Sequence, residues 1–230
     1  MPRKKQSRGD CVFCGREMTK SGLTKHLKTC PQRHKAIESA EINKKSGGGK
    51  QPLCHLQVRD AYEGDFWLHL EVNGRASLGD LDQYLRAIWL ECCGHLSQFS
   101  VGGWGGDELS MDLKIERILT PGVELTHIYD FGTSSETLIT ATDVREGISL
   151  TRHPIYLMAR NKIPETVCAE CDKPSGWLCM ECLIEEEEWT TLCEKHAKTH
   201  PHDNYGEPIE LVNSPRLGMC GYDGPAEPPY

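Results

Sequence analysis

Long apolar runs are missing from this chain of 230 residues. Its longest, such as Ala87–Leu90, is far shorter than the ~20 residues that a membrane-spanning helix needs. No apolar stretch follows the basic start MPRKK, so the sequence predicts no secretory signal and a cytoplasmic location. Because thiols stay reduced in the cytosol, we do not expect the 12 cysteines to form disulfides.

Two classes of nucleotide-binding protein are excluded, because their motifs are incomplete in this sequence. The segment VGGWGG at 101–106 has neither the lysine nor the flanking pattern of a phosphate-binding loop. The tripeptide Asp130-Phe131-Gly132 occurs in protein kinases, but the other kinase motifs do not accompany it here. We predict a mobile joint and a hairpin turn at these places, and we assign no catalytic residue.

Positive charge is scarce after residue 50. Residues 1–50 hold 13 Lys and Arg against 4 Asp and Glu, a balance of +9, whereas residues 51–230 hold 13 against 30, a balance of −17, which together give the net charge of −8. A polyanion would be attracted by the N-terminal arm and repelled by the rest of the chain. A solvated basic tail is the alternative.

The basic arm contains the ligand set of a small zinc finger, Cys11, Cys14, His26 and Cys30. Tetrahedral zinc binds thiolates and imidazoles, and residues four apart, such as His26 and Cys30, project from one side of a helix. Met18 and Leu23 stand where two-Cys, two-His fingers place their apolar residues. So small a core cannot fold unaided, and we expect the metal to supply most of the stability.

We expect this finger to contact phosphates rather than bases. By the usual geometry its base-facing positions fall near Thr19, Gly22 and Lys25, of which the first two read bases poorly. The cations that suit a phosphate backbone are Arg16, Lys20, Lys25 and Lys28. The sequence therefore predicts weak, sequence-tolerant binding of nucleic acid, with a protein-binding finger as the alternative.

Composition divides the chain into four segments. The segment SGGGK at 46–50 is typical of a flexible linker, so the finger (residues 1–31) is predicted to be tethered by residues 32–52 rather than packed on the rest. Residues 53–162 carry the only sizeable core. Residues 163–230 are rich in cysteine and histidine and form the last module.

The central segment predicts an α+β domain. Six stretches have the composition and alternation of strands, namely 54–60, 65–72, 95–101, 123–131, 136–144 and 154–161. Apolar residues recur at helical spacing from Leu78 to Cys92, which predicts one amphipathic helix with Ser77 or Asp80 as its N-cap.

The same stretch carries the motifs of a known family. The residues concerned are His95-Leu96, Phe99 and Tyr129-Asp130-Phe131-Gly132, set in the order strand, strand, helix, strand, hairpin. In these features residues 53–162 resemble the plasmid Ri open-reading-frame-three-like family, which includes passenger proteins of insertion elements. The resemblance implies a compact α+β fold and an association with plasmids or mobile elements. The acidic residue, Trp and His that usually follow the Y-D-F-G are replaced here by Thr133, Ser134 and Ser135.

Three cysteines of the central segment are not predicted to bind metal. We expect Cys54, Cys92 and Cys93 to be reduced thiols, with Cys92 buried at the end of the helix. His95 and Asp130 could approach one another as a base and its orienting carboxylate. With no nucleophile or cleft in the pattern, packing is the favoured interpretation of that pair.

The C-terminal segment offers eight ligands in paired knuckles, Cys168, Cys171, Cys179, Cys182, Cys193, His196, His200 and His202. Two tetrahedral zinc sites need eight ligands, and a segment with so few apolar residues cannot fold without them. Pairing one with three and two with four would resemble the cross-brace of a B-box. Sequential pairing is the alternative, and the spacing does not distinguish them. Cys220 is a ninth candidate that could replace His200 or His202.

These ligand sets predict about three structural zinc ions, because enough ligands are present to close each site. The sequence thus predicts a zinc-binding adaptor with a nucleic-acid-binding finger and a C-terminal module that stabilises it or contacts a protein partner. The alternatives are an enzyme acting on nucleic acid or a small ligand in a central cleft, and a purely protein-binding scaffold. No membrane partner is predicted.

Overall fold

A large antiparallel sheet dominates the fold of the computed structural model, which describes residues 6–43, 49–202 and 204–230. Its nine strands are β1 (Arg8–Cys11), β2 (Glu17–Thr19), β3 (Gln51–Asp60), β4 (Trp67–Asn73), β5 (Ser97–Val101), β6 (Asp107–Leu109), β7 (Glu124–Tyr129), β8 (Ser135–Gly147) and β9 (Ile155–Asn161). Their order across the sheet is β2-β1-β9-β4-β3-β8-β7-β5-β6, and each neighbouring pair is antiparallel. A second sheet, ordered β11-β10-β12, is formed by β10 (Trp177–Leu178), β11 (Thr191–Leu192) and β12 (Ile209–Glu210).

Helices accompany both sheets, which confirms the predicted α+β class. They are α1 (Lys20–Thr29), α2 (Pro31–Ile42), α3 (Leu78–Leu85), α4 (Ile115–Ile118), α5 (Met180–Glu185) and α6 (Glu194–Ala197). Within the described ranges, none of the helices has the length and apolar character needed to cross a membrane.

The predicted elements of the central segment are all found. The six predicted strands correspond to β3, β4, β5, β7, β8 and β9. The two candidate caps of α3 act together, because the Ser77 hydroxyl accepts from the Asp80 amide at 3.1 Å and the Asp80 carboxylate accepts from the Ser77 amide at 2.7 Å. Leu85 and Trp89 pack with the sheet residues Leu56 and Leu70 in the main core.

The end of this helix differs from the prediction. α3 gives way to a π-helical turn at Arg86–Leu90, and the chain becomes extended at Glu91. Cys92 therefore lies in the following loop and is half-buried, so the prediction that it is buried at the end of the helix is wrong. Ile88 and Trp89 stay buried as the apolar pattern predicted, so the helical pattern fails only where the chain becomes extended.

The finger is built into the large sheet, so the prediction of a tethered finger is wrong. β1 pairs with β9, with Gly9 opposite Asn161 and Cys11 opposite Ala159. A Cβ at Gly9 would lie 1.9 Å from the Arg160 carbonyl oxygen, so the close approach of the strands requires glycine. The pairing joins residues about 150 positions apart along the sequence, which a glycine-rich linker pattern does not reveal.

The predicted linker 32–52 holds most of α2 and the start of β3, while its residues 44–48 lie outside the described ranges. α2 is docked by a buried ion pair, since Arg33 donates to Glu71 at 3.0 Å and to the Leu27 carbonyl at 2.8 Å. Glu71 also accepts from Arg145 at 2.7 Å. Charged side chains thus join α2 to β4 and β8.

Candidate metal centres

The four finger residues predicted as ligands lie together, where they could hold a metal ion. Cys11 ends β1, Cys14 lies in the turn after it, and His26 and Cys30 come from α1 and its C-cap. The Cys14 Sγ–His26 Nε2 distance is 3.2 Å, the Cys11 Sγ–Cys30 Sγ distance is 4.0 Å, and all four ligand atoms lie within 4.8 Å of one another. Zinc bonds of about 2.3 Å to sulfur and about 2.05 Å to nitrogen place tetrahedral ligands about 3.6–3.8 Å apart, so the group fits zinc.

Local backbone features shape the finger group. Gly15 adopts φ of +68°, and its amide donates to the Cys11 carbonyl at 2.8 Å, which closes the turn that carries Cys14. The predicted core positions are confirmed, because Leu23 is buried and Met18 packs against the same small cluster. That cluster also includes Trp67 and Met158, so the finger shares its core with the central sheet.

The C-terminal ligands form two groups with crossed pairing. One group is Cys168, Cys171, Cys193 and His196, and the other is Cys179, Cys182, His200 and His202. Pairs one and three therefore meet, as do pairs two and four, and of the two arrangements that the sequence left open the structure has the cross-brace. Cys168 Sγ lies 3.2 Å from His196 Nδ1, and Cys182 Sγ lies 3.1 Å from His202 Nδ1.

The small sheet explains the crossing. β10 and β11 pair, with Trp177 opposite Leu192, and each strand leads directly into a knuckle residue. Cys179 follows β10 and caps α5, whereas Cys193 follows β11 and caps α6. Because the two strands are antiparallel, the knuckles that follow them leave in opposite directions toward different groups.

A carboxylate links the two C-terminal groups. Glu170 sits in the first knuckle and accepts from Nδ1 of His200, a member of the other group, at 2.9 Å. The hydrogen bond from His200 lowers the pKa of Glu170 below its usual value. This leaves Nε2 of His200, 3.4 Å from Cys182 Sγ, as the ligand atom. Metal-binding histidines commonly donate their second nitrogen to a carboxylate in this way, so the residues present fit zinc.

A fourth group lies outside these modules. Cys92, Cys93 and His95 from the loop after α3 meet Cys220 from the C-terminal tail. Cys92 and Cys93 were not predicted to bind metal, yet they lie in a group that could hold an ion, and Cys220 lies in this group rather than replacing His200 or His202. The described residues therefore form four groups that could each hold a metal ion, one more than the three sets predicted. The signal in the sequence was the short Cys93-x-His95 spacing together with the unpaired Cys220.

Cys54 lies in β3, and its side chain is only 1% exposed in the main core. Burial raises the pKa of its thiol to about 11, which keeps it protonated at neutral pH. It belongs to none of the four groups. Its redox state stays a prediction.

Buried polar residues in the central domain were not anticipated. Asp82 accepts from His127 at 2.7 Å, from Ser97 at 2.6 Å and from Arg86 at 2.8 Å. Burial alone would raise the pKa of Asp82, but these hydrogen bonds lower it to about 2. Ser97 donates to the carboxylate rather than to His127, so this arrangement differs from a serine nucleophile activated by a histidine base.

A second buried pair joins the sheet to the finger. The carbonyl of Lys20 can only accept a hydrogen bond, so Nε2 of His69, at 3.2 Å, must donate to it. Nδ1 of His69 then accepts from Nε2 of His55 at 2.9 Å. Burial lowers the pKa of His69 to about 4 and that of His55 to about 2, so both rings are neutral at pH 7.

The four predicted phosphate-binding cations differ in their exposure to solvent. Arg16, Lys25 and Lys28 are exposed, and Lys28 lies 3.8 Å from Asp143 in an exposed ion pair of the kind that contributes little. Lys20 is half-buried, and burial lowers the pKa of its ammonium group. The structure therefore leaves three of the four cations open to a ligand.

A cavity of about 530 Å³ lies between the central sheet and the C-terminal segment. Its wall is mainly apolar, with Phe66, Ile163, Trp189 and Leu217 among the lining residues, which also include carboxylates such as Glu136. The described residues that line it include no cysteine and no histidine.

Comparisons with known proteins identify no family for this chain. No family model matches it, and no curated protein matches it. A solved structure of a protein of unknown function from Methanosarcina mazei Go1 is similar at 17% identity and a TM-score of 0.40, covering 48% of this chain and 68% of that one. A likeness of this size bears neither on the function nor on the metal groups, and the family resemblance in residues 53–162 stays a prediction.

Proposed function

We propose that the protein is a zinc-stabilised adaptor whose N-terminal finger binds nucleic acid without reading its sequence. The observation that carries the proposal is which side chains of the finger are free to contact a ligand. Of the three positions that would face bases, only Lys25 has a free side chain, while three cations of the finger, Lys25 included, are exposed. An association with plasmids or mobile elements, implied by the resemblance in residues 53–162, is part of the same proposal.

The three positions that would face bases provide few side chains able to hydrogen-bond to a base. The Thr19 hydroxyl accepts from the Gly22 amide at 3.3 Å and so caps α1. Gly22 has no side chain, and a Cβ there would lie 3.2 Å from the Met18 Cβ, so a larger residue would crowd Met18 in β2. Lys25 alone among the three could reach a base edge, which is too little for sequence readout.

The exposed cations suit a phosphate backbone. Arg16, Lys25 and Lys28 belong to a segment with a balance of +9, whereas the remaining residues carry −17. A phosphate backbone would therefore be held at the finger and repelled elsewhere. Lys20 is expected to contribute less than these three, because it is half-buried and burial lowers the pKa of its ammonium group.

Zinc in these groups would have a structural role. Bound zinc supplies folding free energy by tying together elements that have few apolar contacts of their own. Each group contains four ligands, which closes a tetrahedral site, whereas a catalytic zinc keeps a position for water. The run Glu185–Glu188 is exposed, and of these residues Glu186 comes within 4.0 Å of His202, on the nitrogen opposite its ligand atom. We therefore favour an adaptor over an enzyme.

Protein binding by the C-terminal half is a second candidate function. The observation that favours it is the mainly apolar cavity of about 530 Å³, whose lining also includes acidic residues. A basic peptide with one apolar side chain would complement both the charge and the wall. Replacing Trp189 with Ala would then abolish capture of such a peptide without changing nucleic-acid binding.

Fluorescence anisotropy with labelled duplexes of unrelated sequence tests the main proposal. We expect weak binding that is alike for all duplexes and falls steeply as salt rises, because each neutralised phosphate releases counterions. The triple variant Arg16→Gln, Lys25→Gln, Lys28→Gln should weaken binding to all sequences alike and flatten the slope of log K against log salt by up to about three units.

A matched control is available in the C-terminal module. Lys173, Lys195 and Lys198 are exposed like the finger cations, so changing these three to Gln removes the same charge at another place. This control should leave both affinity and salt slope unchanged. Equal loss in both triple variants would show a non-specific charge effect, and absence of binding by the intact protein at low salt would overturn the proposal.

A further inference from the structure

The fourth group has the spacing of a tetrahedral metal site. Cys93 Sγ lies 3.7 Å from both Cys92 Sγ and Cys220 Sγ, and His95 Nε2 lies 3.0 Å from Cys93 Sγ and 3.4 Å from Cys220 Sγ. These distances fall in the same range as those in the finger and the C-terminal module. Three thiols and one imidazole form a ligand set that favours a thiophilic ion over magnesium or calcium.

The backbone bends toward this group on both sides. Gly94 adopts φ of +80°, with open space where a Cβ would be, and this turn brings His95 back to Cys93. Cys220 itself adopts φ of +51°, a conformation that L-residues rarely take. Such conformations persist where the surroundings require them and cluster at functional sites.

The tail that carries Cys220 is held by contacts of its own. Arg216 is completely buried and donates to Asp130 at 2.6 Å, to the Thr133 carbonyl at 2.9 Å and to Ser135 at 3.0 Å. Its guanidinium group also lies over the ring of Tyr129 at 4.8 Å. Cys220 follows four residues later, so it is presented to the loop without help from a metal.

Charge around the group favours thiolates. Nη2 of Arg216 lies 3.4 Å from Cys92 Sγ. One divalent ion with three thiolates has a net charge of −1, and a guanidinium group beside it offsets that charge. Asp130 Oδ2, which accepts from Arg216, is 3.4 Å from His95 Nε2, so these two residues do approach one another, beside this group.

Exposure separates this group from the other three. Cys93 and Cys220 are exposed, and Cys92 and His95 are half-buried. In the finger, by contrast, Cys11 and Cys30 are at most 1% exposed. Solvent and competing ligands can therefore reach the fourth group directly.

We propose that Cys92, Cys93, His95 and Cys220 form a fourth metal site that binds Zn²⁺ at the surface, joins the loop after α3 to the C-terminal tail, and exchanges its ion faster than the other three groups, none of whose ligands is exposed. Binding displaces the protons of the thiols, so zinc uptake releases protons. A bound ion would hold together His95 and Cys220, which are 125 positions apart in the sequence.

Native mass spectrometry of the zinc-loaded full chain tests the site. The wild-type chain should carry about four zinc ions, and Cys220→Ser and Cys93→Ser should each carry about three. These two variants alter opposite sides of the group, and far-UV circular dichroism checks that each remains folded. Cys54→Ser is the matched control, because Cys54 belongs to no group, and it should keep the full complement.

Exchange is tested by adding a chelator such as EDTA to the zinc-loaded chain. One equivalent should leave in a fast phase that is absent from Cys220→Ser, and the other equivalents should leave slowly. The proposal would be overturned by wild-type protein that carries the same number of ions as both variants, by a single slow release phase, or by a Cys93–Cys220 disulfide in zinc-loaded protein kept in reducing buffer.

Discussion

The finger and the C-terminal module hold similar ligand sets but are built into the molecule in different ways. The finger adds β1 and β2 to the large sheet, and its Leu27 packs with Trp67 and Met158 of the central domain. The core around Cys168 consists of residues of its own module, such as Trp177 and Leu192, and the module has a separate sheet. Ligand spacing therefore reveals how a metal is held but not whether the module around it folds independently.

The largest effect should come from removing the finger metal. In Cys11→Ser the zinc contribution, on the order of 10 kcal/mol in isolated fingers, is reduced or lost, and the destabilisation should spread through the pairing of β1 with β9 to the central domain. Differential scanning calorimetry should show a lower melting temperature for the central domain.

The matching change in the other module is Cys171→Ser. It should lose the metal of its own group while the transition of the central domain stays in place, because that module has its own core. Equal shifts of the central transition in both variants would refute the distinction between the two regions.

A smaller loss is expected where α2 meets the sheet. Glu71→Ala leaves Arg33 and Arg145 without their carboxylate, and stranding buried charges in this way costs about 3–5 kcal/mol. Urea denaturation measures the loss. Glu194→Ala, which breaks the exposed pair with Lys198, should leave the free energy of unfolding almost unchanged. A small effect at Glu71 would mean that α2 is not part of the cooperative unit.

The smallest effect is the loss of stability on mild acidification. His55 and His69 have pKa values lowered by burial, so the unfolded chain binds more protons than the folded one below the ordinary histidine value of about 6.5. Stability is therefore full above that pH and decreases by up to about 1.4 kcal/mol per histidine over the first pH unit below it.

Urea titrations of zinc-loaded protein at pH 7 and pH 5.5 check this. The double variant His55→Gln, His69→Gln should be less sensitive to pH over that interval, while protonation of the metal ligands affects both proteins alike. An unchanged pH dependence in the double variant would rule out the pair as its source.

The sequence predicted those features that depend on local patterns. Alternation located β3, β4 and β9, and ligand spacing located the finger group and the C-terminal pairs. Ser77 and Asp80 marked the start of α3, because a cap is a contact between residues three apart.

Features that depend on distant contacts were missed. The pairing of β1 with β9 and the meeting of Cys220 with Cys93 each join residues more than a hundred positions apart, which local periodicity cannot detect. The crossed pairing of the C-terminal ligands depends on the antiparallel contact between β10 and β11, and the spacing of the ligands is the same for either pairing.

The place of β1 in the sheet also has a consequence for solubility. Without β1, the seven-residue strand β9 would become the edge of the sheet and present unpaired backbone amides and carbonyls. In the intact protein the two edges are instead β2 and β6, which have only three residues each. Short edge strands offer little template for pairing with another chain. By covering β9, the finger also protects the protein against aggregation. We expect a chain truncated before β3 to self-associate through β9.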